Sequence, residues 1–231
     1  MGFDLALRIT GGVVGFAFLL QSLEYLYSQR RYRVVFAVRA MLSLLLLIGI
    51  GAEWALILLW LMGVFQLHRF QGPYNGGSDR MGMLVLSMLV LCRWLPEPRW
   101  QEIAFGYLGL QLILSYFISG WVKVVNPEWR SGQALRNVFE FSAYPVSETL
   151  RGWATRPVLL FVMSWAVILF ELIFPLTVFN FYSLAIGLGL AATFHFANAC
   201  LFGLNRFFWV WLSAYPALLW LQGRILGGLG Q

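Results

Sequence analysis

The sequence predicts an all-α integral membrane protein, a bundle of about eight transmembrane helices with an interfacial amphipathic segment. Three observations lead there. Hydrophobic residues make up 60% of the chain and charged residues only 11%, with a mean hydropathy of +0.75. A water-soluble domain of this length would carry roughly twice that charged fraction. The apolar residues also fall into runs that can cross about 30 Å of hydrocarbon, separated by polar stretches rich in Gly and Pro. Backbone groups in lipid must bond internally, so the spans are helices, and the alternation of a membrane β-barrel is absent.

Taken in order, Ile9 to Tyr27 is the first span. Asp4 and Arg8 precede it without a clear small-residue cleavage site, so it reads as a retained span and not a signal peptide. A short basic loop, Ser28 to Arg33, follows. Val34 to Leu67 is too long for one helix and breaks near Gly49-Ile50-Gly51, giving two short spans with Glu53 in the turn. His68 to Met81, HRFQGPYNGGSDRM, reads as a polar Gly-rich loop. Gly82 to Leu95 is the fourth span, stopped by Leu95-Pro96-Glu97-Pro98-Arg99, and Glu102 to Val125 is the fifth. Pro127 to Pro157 is mixed in charge and dotted with aromatics, which predicts short amphipathic helices along the interface. Val158 to Val178 is the sixth span, interrupted by Glu171 and Pro175. Phe179 to Phe202 and Phe207 to Leu221 are the seventh and eighth. No soluble domain or internal repeat is visible, so residues 1–231 read as a single transmembrane domain.

The cations set an orientation. Eight spans gather twelve of the sixteen Lys and Arg residues on one side, including Arg30, Arg39, Arg80, Lys123 and Arg206. Arg8, Arg93, Arg99 and Arg224 fall on the other. The positive-inside rule then puts both termini outside and the loops at 68–81 and 123–157 in the cytoplasm. The net charge of +6 is that of an oriented membrane protein and implies no nucleic-acid partner. Cys92 and Cys200 form no CxxC or zinc pattern and read as small buried hydrophobes. With two histidines and no spaced thiolates, no metal centre is expected.

Four groups stand out as chemistry. Lys123 is the only lysine among sixteen cations and lies at the end of an apolar, aromatic-rich helix. A desolvated amine can give up its proton where a guanidinium cannot, so Lys123 is either a base or a helix-end anchor that snorkels to the interface. The run Asn75-Gly76-Gly77-Ser78-Asp79-Arg80 is either a turn exposing backbone amides to a ligand or the capped start of the next helix. Glu171 lies inside an apolar span, where a carboxylate usually faces a cavity; it can instead be protonated or paired with an arginine. His195 and Asn198 are three apart and share a helical face, as a site or as an interhelical hydrogen-bonding pair. In the eight-span topology the Gly-rich loop, Lys123 and His195 all lie toward one side.

Tyr116-Phe117-Ile118-Ser119-Gly120-Trp121-Val122-Lys123, followed by Trp129 and Gly132, resembles the catalytic-lysine segment of the vitamin K-dependent gamma-carboxylase. Phe194-His195-Phe196-Ala197-Asn198, through Leu201-Phe202 to Ala214-Tyr215-Pro216, is similar to a second membrane segment of that enzyme. The loop Asn75 to Arg80 resembles the bacterial branch, the HTTM domain family. The resemblance implies a helical bundle around a cavity for a quinone. It assigns Lys123 as the base and His195 as a histidine beside it; together with the groups read from the residues themselves, the expected ligand-binding set is Asn75, Gly76, Gly77, Ser78, Asp79, Arg80, Trp129, Glu171 and Asn198. In the carboxylase the quinol's base is a lysine, and oxygen addition yields the alkoxide that deprotonates a glutamate side chain. Three departures matter, the first being that the spacing from Lys123 to Trp129 is slightly longer than in the carboxylase. Gly77 stands where the carboxylase has a histidine, and the large soluble substrate-binding domain has no counterpart here, so glutamate carboxylation is not the expected reaction. The expectation is an HTTM-type protein of the bacterial inner membrane, surrounded by membrane lipids, with a cavity for a quinone or lipid-like ligand. The alternatives are a non-catalytic subunit of a larger membrane complex and a maturation factor acting on an exported peptide substrate.

Overall fold

In the computed structural model the described residues are 1–69, 76–141 and 148–229, and among them no strand occurs. The helices are α1 (Phe3–Ser28), α2 (Arg33–Ile48), α3 (Ala52–Arg69), α4 (Gly76–Trp94), α5 (Pro98–Val125), α6 (Pro127–Ser131), α7 (Gln133–Phe141), α8 (Glu148–Arg151), α9 (Pro157–Ile173), α10 (Phe181–Phe202) and α11 (Asn205–Leu229). Among the described residues, four stretches are long and apolar enough to cross a membrane: Phe3–Ser28, Pro98–Val125, Pro157–Phe179 and Phe181–Phe202. Side chains as large as Trp54, Trp121 and Phe181 are more than half exposed. That surface suits hydrocarbon and is costly in water.

The chain forms two compact units. The first comprises Met1–Leu110 and Asn205–Gln231 and is built around α1, which packs against α2, α4 and α11. Small residues let these helices approach. A Cβ on Gly15 would stand 3.0 Å from both Leu47 N and Ser43 O of α2, the kind of backbone contact through which helices associate in lipid. Between α2 and α3 the turn is made by Gly49, at φ +84°, whose N–H donates to Leu45 O, and by Gly51, at φ +57°. This matches the break expected at these glycines. It also places Glu53 in the first turn of α3.

The expected loop at 68–81 is shorter than its composition suggests. α3 continues through Arg69, and α4 already begins at Gly76. Glycine's cost in a helix is the backbone entropy lost on ordering, about 1 kcal/mol relative to alanine in an interior, and it is tolerated at a helix start. Cys92 is buried as expected, but Cys200 is exposed on α10 and is not a core residue.

The second unit, Gln111–Leu204, holds the last turns of α5 and the helices α6 to α10. Asn126 breaks α5 and caps α6: its Oδ1 accepts the Glu128 N–H at 2.9 Å, and Pro127 takes the first helical position. Gly132, at φ +81°, then turns the chain into α7 against α9, where a Cβ would meet Phe161 N at 2.9 Å. Ser164 Oγ donates to Trp129 O, and Trp165 Nε1 donates to Arg130 O at 3.0 Å, fixing α6 to α9. α7 turns Phe139 inward onto Ala154, Leu160 and Phe202 while Arg136 and Glu140 stay exposed. These pieces are the short amphipathic helices expected between 127 and 157. Pro175 ends α9 in a 3-10 turn, Phe174–Phe179, and Asn180 caps α10 by accepting the Tyr182 and Ser183 N–H groups.

Candidate functional site

The last turns of α5 carry polar residues on one face. Tyr116, Ser119 and Lys123 recur at helical spacing and so point to the same side. Gly120 lies between them, and a Cβ there would stand 2.9 Å from both Glu171 Cβ and Leu172 N. This glycine lets the backbone of α9 come close enough for the short arm of Glu171 to reach α5.

The Lys123 ammonium uses that approach fully. Its Nζ donates to both Glu171 oxygens, at 2.8 and 2.6 Å, and to Ser119 Oγ at 2.9 Å. Trp129 of α6 presents its ring 5.3 Å from the same nitrogen, within cation–π range. Glu171 is 3% exposed and Lys123 13%, so the pair is withdrawn from lipid and nearly withdrawn from solvent. Of the alternatives to a cavity-facing Glu171, the arginine partner does not match the geometry. Its partner is the lone lysine.

Two turns earlier, Tyr116 OH and His195 Nε2 of α10 share a hydrogen bond of 2.8 Å, and both residues are buried. Tyr116 packs on Phe174 and Phe170, whose ring centroids lie 4.3 and 5.9 Å away, and these flank Glu171 on its own chain segment. His195 lies within electrostatic reach of Lys123. Two buried polar pairs therefore tie α5 to α9 and α5 to α10, with aromatic rings between them. One pair can hold a proton on nitrogen or on oxygen, and the other can pass one between phenol and imidazole.

The remaining expected residues are distributed as follows. Asn198 is half-buried on α10, and its carbonyl accepts the Leu204 N–H at the helix end. Asn75 lies outside the described residues. Gly76 to Arg80 form the first turn of α4 in the first unit, where Ser78 is buried and Asp79 accepts from Gln21 Nε2 at 3.1 Å. Tyr116 and Ser119 were not singled out from sequence, although their spacing from Lys123 on one helix face is the signal that could have found them. Among the described residues, no three His, Cys, Asp or Glu side chains converge to hold a metal ion.

A family model described as the HTTM domain matches residues 96–221, more than half of the chain, and takes in both polar pairs. No match was found among curated proteins or among solved structures.

Proposed function

The chain belongs to the HTTM domain family, and on that premise we propose that it is an integral membrane protein of eight spans whose working centre is the Lys123–Glu171 pair. The observation that carries this is the ammonium of Lys123 held by both Glu171 oxygens, at 2.8 and 2.6 Å, in a largely apolar helical setting. A charged side chain in a span is expensive and usually marks a ligand or proton path. A pair that served cohesion alone could be replaced by apolar packing with little loss or some gain. Support for eight spans comes from α2, α3, α4 and α11, which at about 1.5 Å per residue rise roughly 24 Å or more.

The donor set fits a quinol. Lys123 and Trp129 offer a cation beside an aromatic face, while Tyr116 and His195 offer hydrogen bonds among the rings of Phe170 and Phe174. When bound, a quinol would supply an acidic hydroxyl and two reducing electrons. The protein's own part is proton handling. Passing the Lys123 proton to a Glu171 oxygen leaves an amine and a carboxylic acid, a neutral pair that apolar surroundings favour over separated ions. Lys123 Nζ is then a base without any proton having gone to solvent. Ser119 Oγ and the Trp129 ring hold the nitrogen in place during that exchange, and His195 with Tyr116 forms the neighbouring hydrogen-bonding wall.

The test is photolabelling of isolated membranes with an azidoquinone, followed by peptide mapping. Label on the α5 end or on α9, displaced by excess ubiquinone or menaquinone and lost in Lys123→Arg, is the expected result. Label that is not displaced, or is unchanged in that variant, would overturn the quinone reading.

A further inference from the structure

The first unit contains a second buried charge that the Lys123–Glu171 pair does not use. Arg39, on α2, is 3% exposed. Among the described residues, Nη2 has an acceptor, Gln21 Oε1 at 2.7 Å, and Nε and Nη1 have none. Its flat face lies over Phe18, with Cζ 4.6 Å from the ring centroid. The carboxylate that balances the charge is one side chain removed: Gln21 Nε2 donates to Asp79 Oδ1 at 3.1 Å. Buried guanidinium donors without acceptors are costly, so they mark a place where an acceptor belongs.

The surroundings say what kind. Arg206, at the start of α11, is near enough to Arg39 for the two cations to repel one another. Its own charge is already matched by Glu24, with Nε and Nη2 donating to the two carboxylate oxygens at 3.1 and 2.9 Å, and its Nη1 donates to Tyr25 OH at 2.8 Å. Glu24 is thus committed to Arg206, and Arg39 keeps only the relayed Asp79. Asp79 lies in the first turn of α4 and Arg206 in that of α11, so two helix N-termini come to the cluster.

We infer that Arg39 is the recognition point of an oxyanion site, taking a phosphate or carboxylate group at this end of the first unit. The unpaired Nε–H and Nη1–H groups are its donors, Phe18 holds the guanidinium plane, and the Gln21–Asp79 relay fixes Nη2. Arginine suits the role because its planar fork matches such groups and stays charged when buried. The oxyanion comes either from the headgroup of an anionic lipid or from a free anion, and the two sources separate experimentally.

The experiment uses the full chain purified in detergent. One arm equilibrates it with equal amounts of phosphatidylglycerol and phosphatidylcholine and reads bound lipid by native mass spectrometry. A second arm, with phosphatidylcholine only, reads the thermal shift caused by inorganic phosphate against chloride at equal ionic strength. Arg39→Gln is the direct variant, but it disturbs a buried residue and can fail to fold. Gln21→Glu combined with Asp79→Asn moves the carboxylate next to Arg39 at unchanged net charge, neutralising the guanidinium from within. The expected result is a preference for phosphatidylglycerol of about fivefold, the factor one cation near an anionic headgroup contributes, abolished in the double variant with no loss of thermal stability. A phosphate-dependent shift without lipid preference, likewise abolished, identifies a free anion as the source. Binding equal in wild type and double variant, or absent from both arms, overturns the site.

Discussion

Lys123 Nζ lies within 2.8 Å of both carboxylate oxygens of Glu171, although the two residues are 48 positions apart and belong to different helices. Each is the sole charge in its stretch of apolar helix. Removing one partner leaves the other buried and uncompensated, which costs about 3–5 kcal/mol. Lys123→Met and Glu171→Met should each lower thermal stability by that order, and the double variant should recover most of it. A double-mutant cycle in detergent measures the coupling. A double variant as unstable as the sum of the singles would mean that the two side chains do not act as a pair.

Gly120 is the spacer that makes the pair possible. In Gly120→Ala the new Cβ would meet Glu171 Cβ and Leu172 N at 2.9 Å, and backbone atoms cannot give way as a flexible side chain can. Overpacking of this kind costs about 1–3 kcal/mol. The variant should be less stable and should lose the Lys123–Glu171 coupling in the same cycle. Retention of full coupling would place the helices farther apart than described.

Tyr116→Phe removes the hydroxyl that bonds His195 Nε2 at 2.8 Å while keeping the ring against Phe170 and Phe174. The expected stability loss is small, about 1 kcal/mol. The informative readout is the azidoquinone labelling, which should weaken more than the melting temperature falls. Unchanged labelling would remove the Tyr116–His195 pair from the site.

Eight spans make a definite labelling pattern. In a background without Cys200, single cysteines at Ser28 and Thr155 should react with an impermeant thiol reagent from one side, and cysteines at Ile50 and Glu97 from the other. If only the four long helices cross, Glu97 will report with Ser28, because α4 then stays on one side.

Much of this was legible in the sequence because local composition decides it. Gly49 and Gly51 end one helix and start another, Pro96 and Pro98 stop α4, and the polar run after Asn126 yields short helices, each by rules that need only near neighbours. Lys123, Glu171 and His195 also stood out singly, as charges or polar rings where lipid disfavours them. Their partners did not. Which helix faces which is set by side-chain packing between segments, and Gly120 looks like any other glycine until α9 lies against it. The Gly-rich stretch misled in the other direction. Gly76 and Gly77 argue for a loop, yet a helix's first turn accepts them, so α4 starts there. Arg39 was read only as one more cation in the orientation count, because its burial depends on α1 and α4.

The most direct test of the central claim is the quinone content of purified wild-type protein and of Lys123→Arg, extracted and quantified by mass spectrometry. Arginine keeps the charge and can still pair with Glu171, but its larger planar guanidinium cannot take the place of Nζ between Glu171, Ser119 and the Trp129 ring, and so disrupts the ligand's surroundings. The account predicts a quinone near stoichiometric amounts in the wild type and a folded Lys123→Arg protein that has lost it. No quinone in the wild type, or equal amounts in both proteins, would contradict the assignment of Lys123 and Glu171 as the working centre.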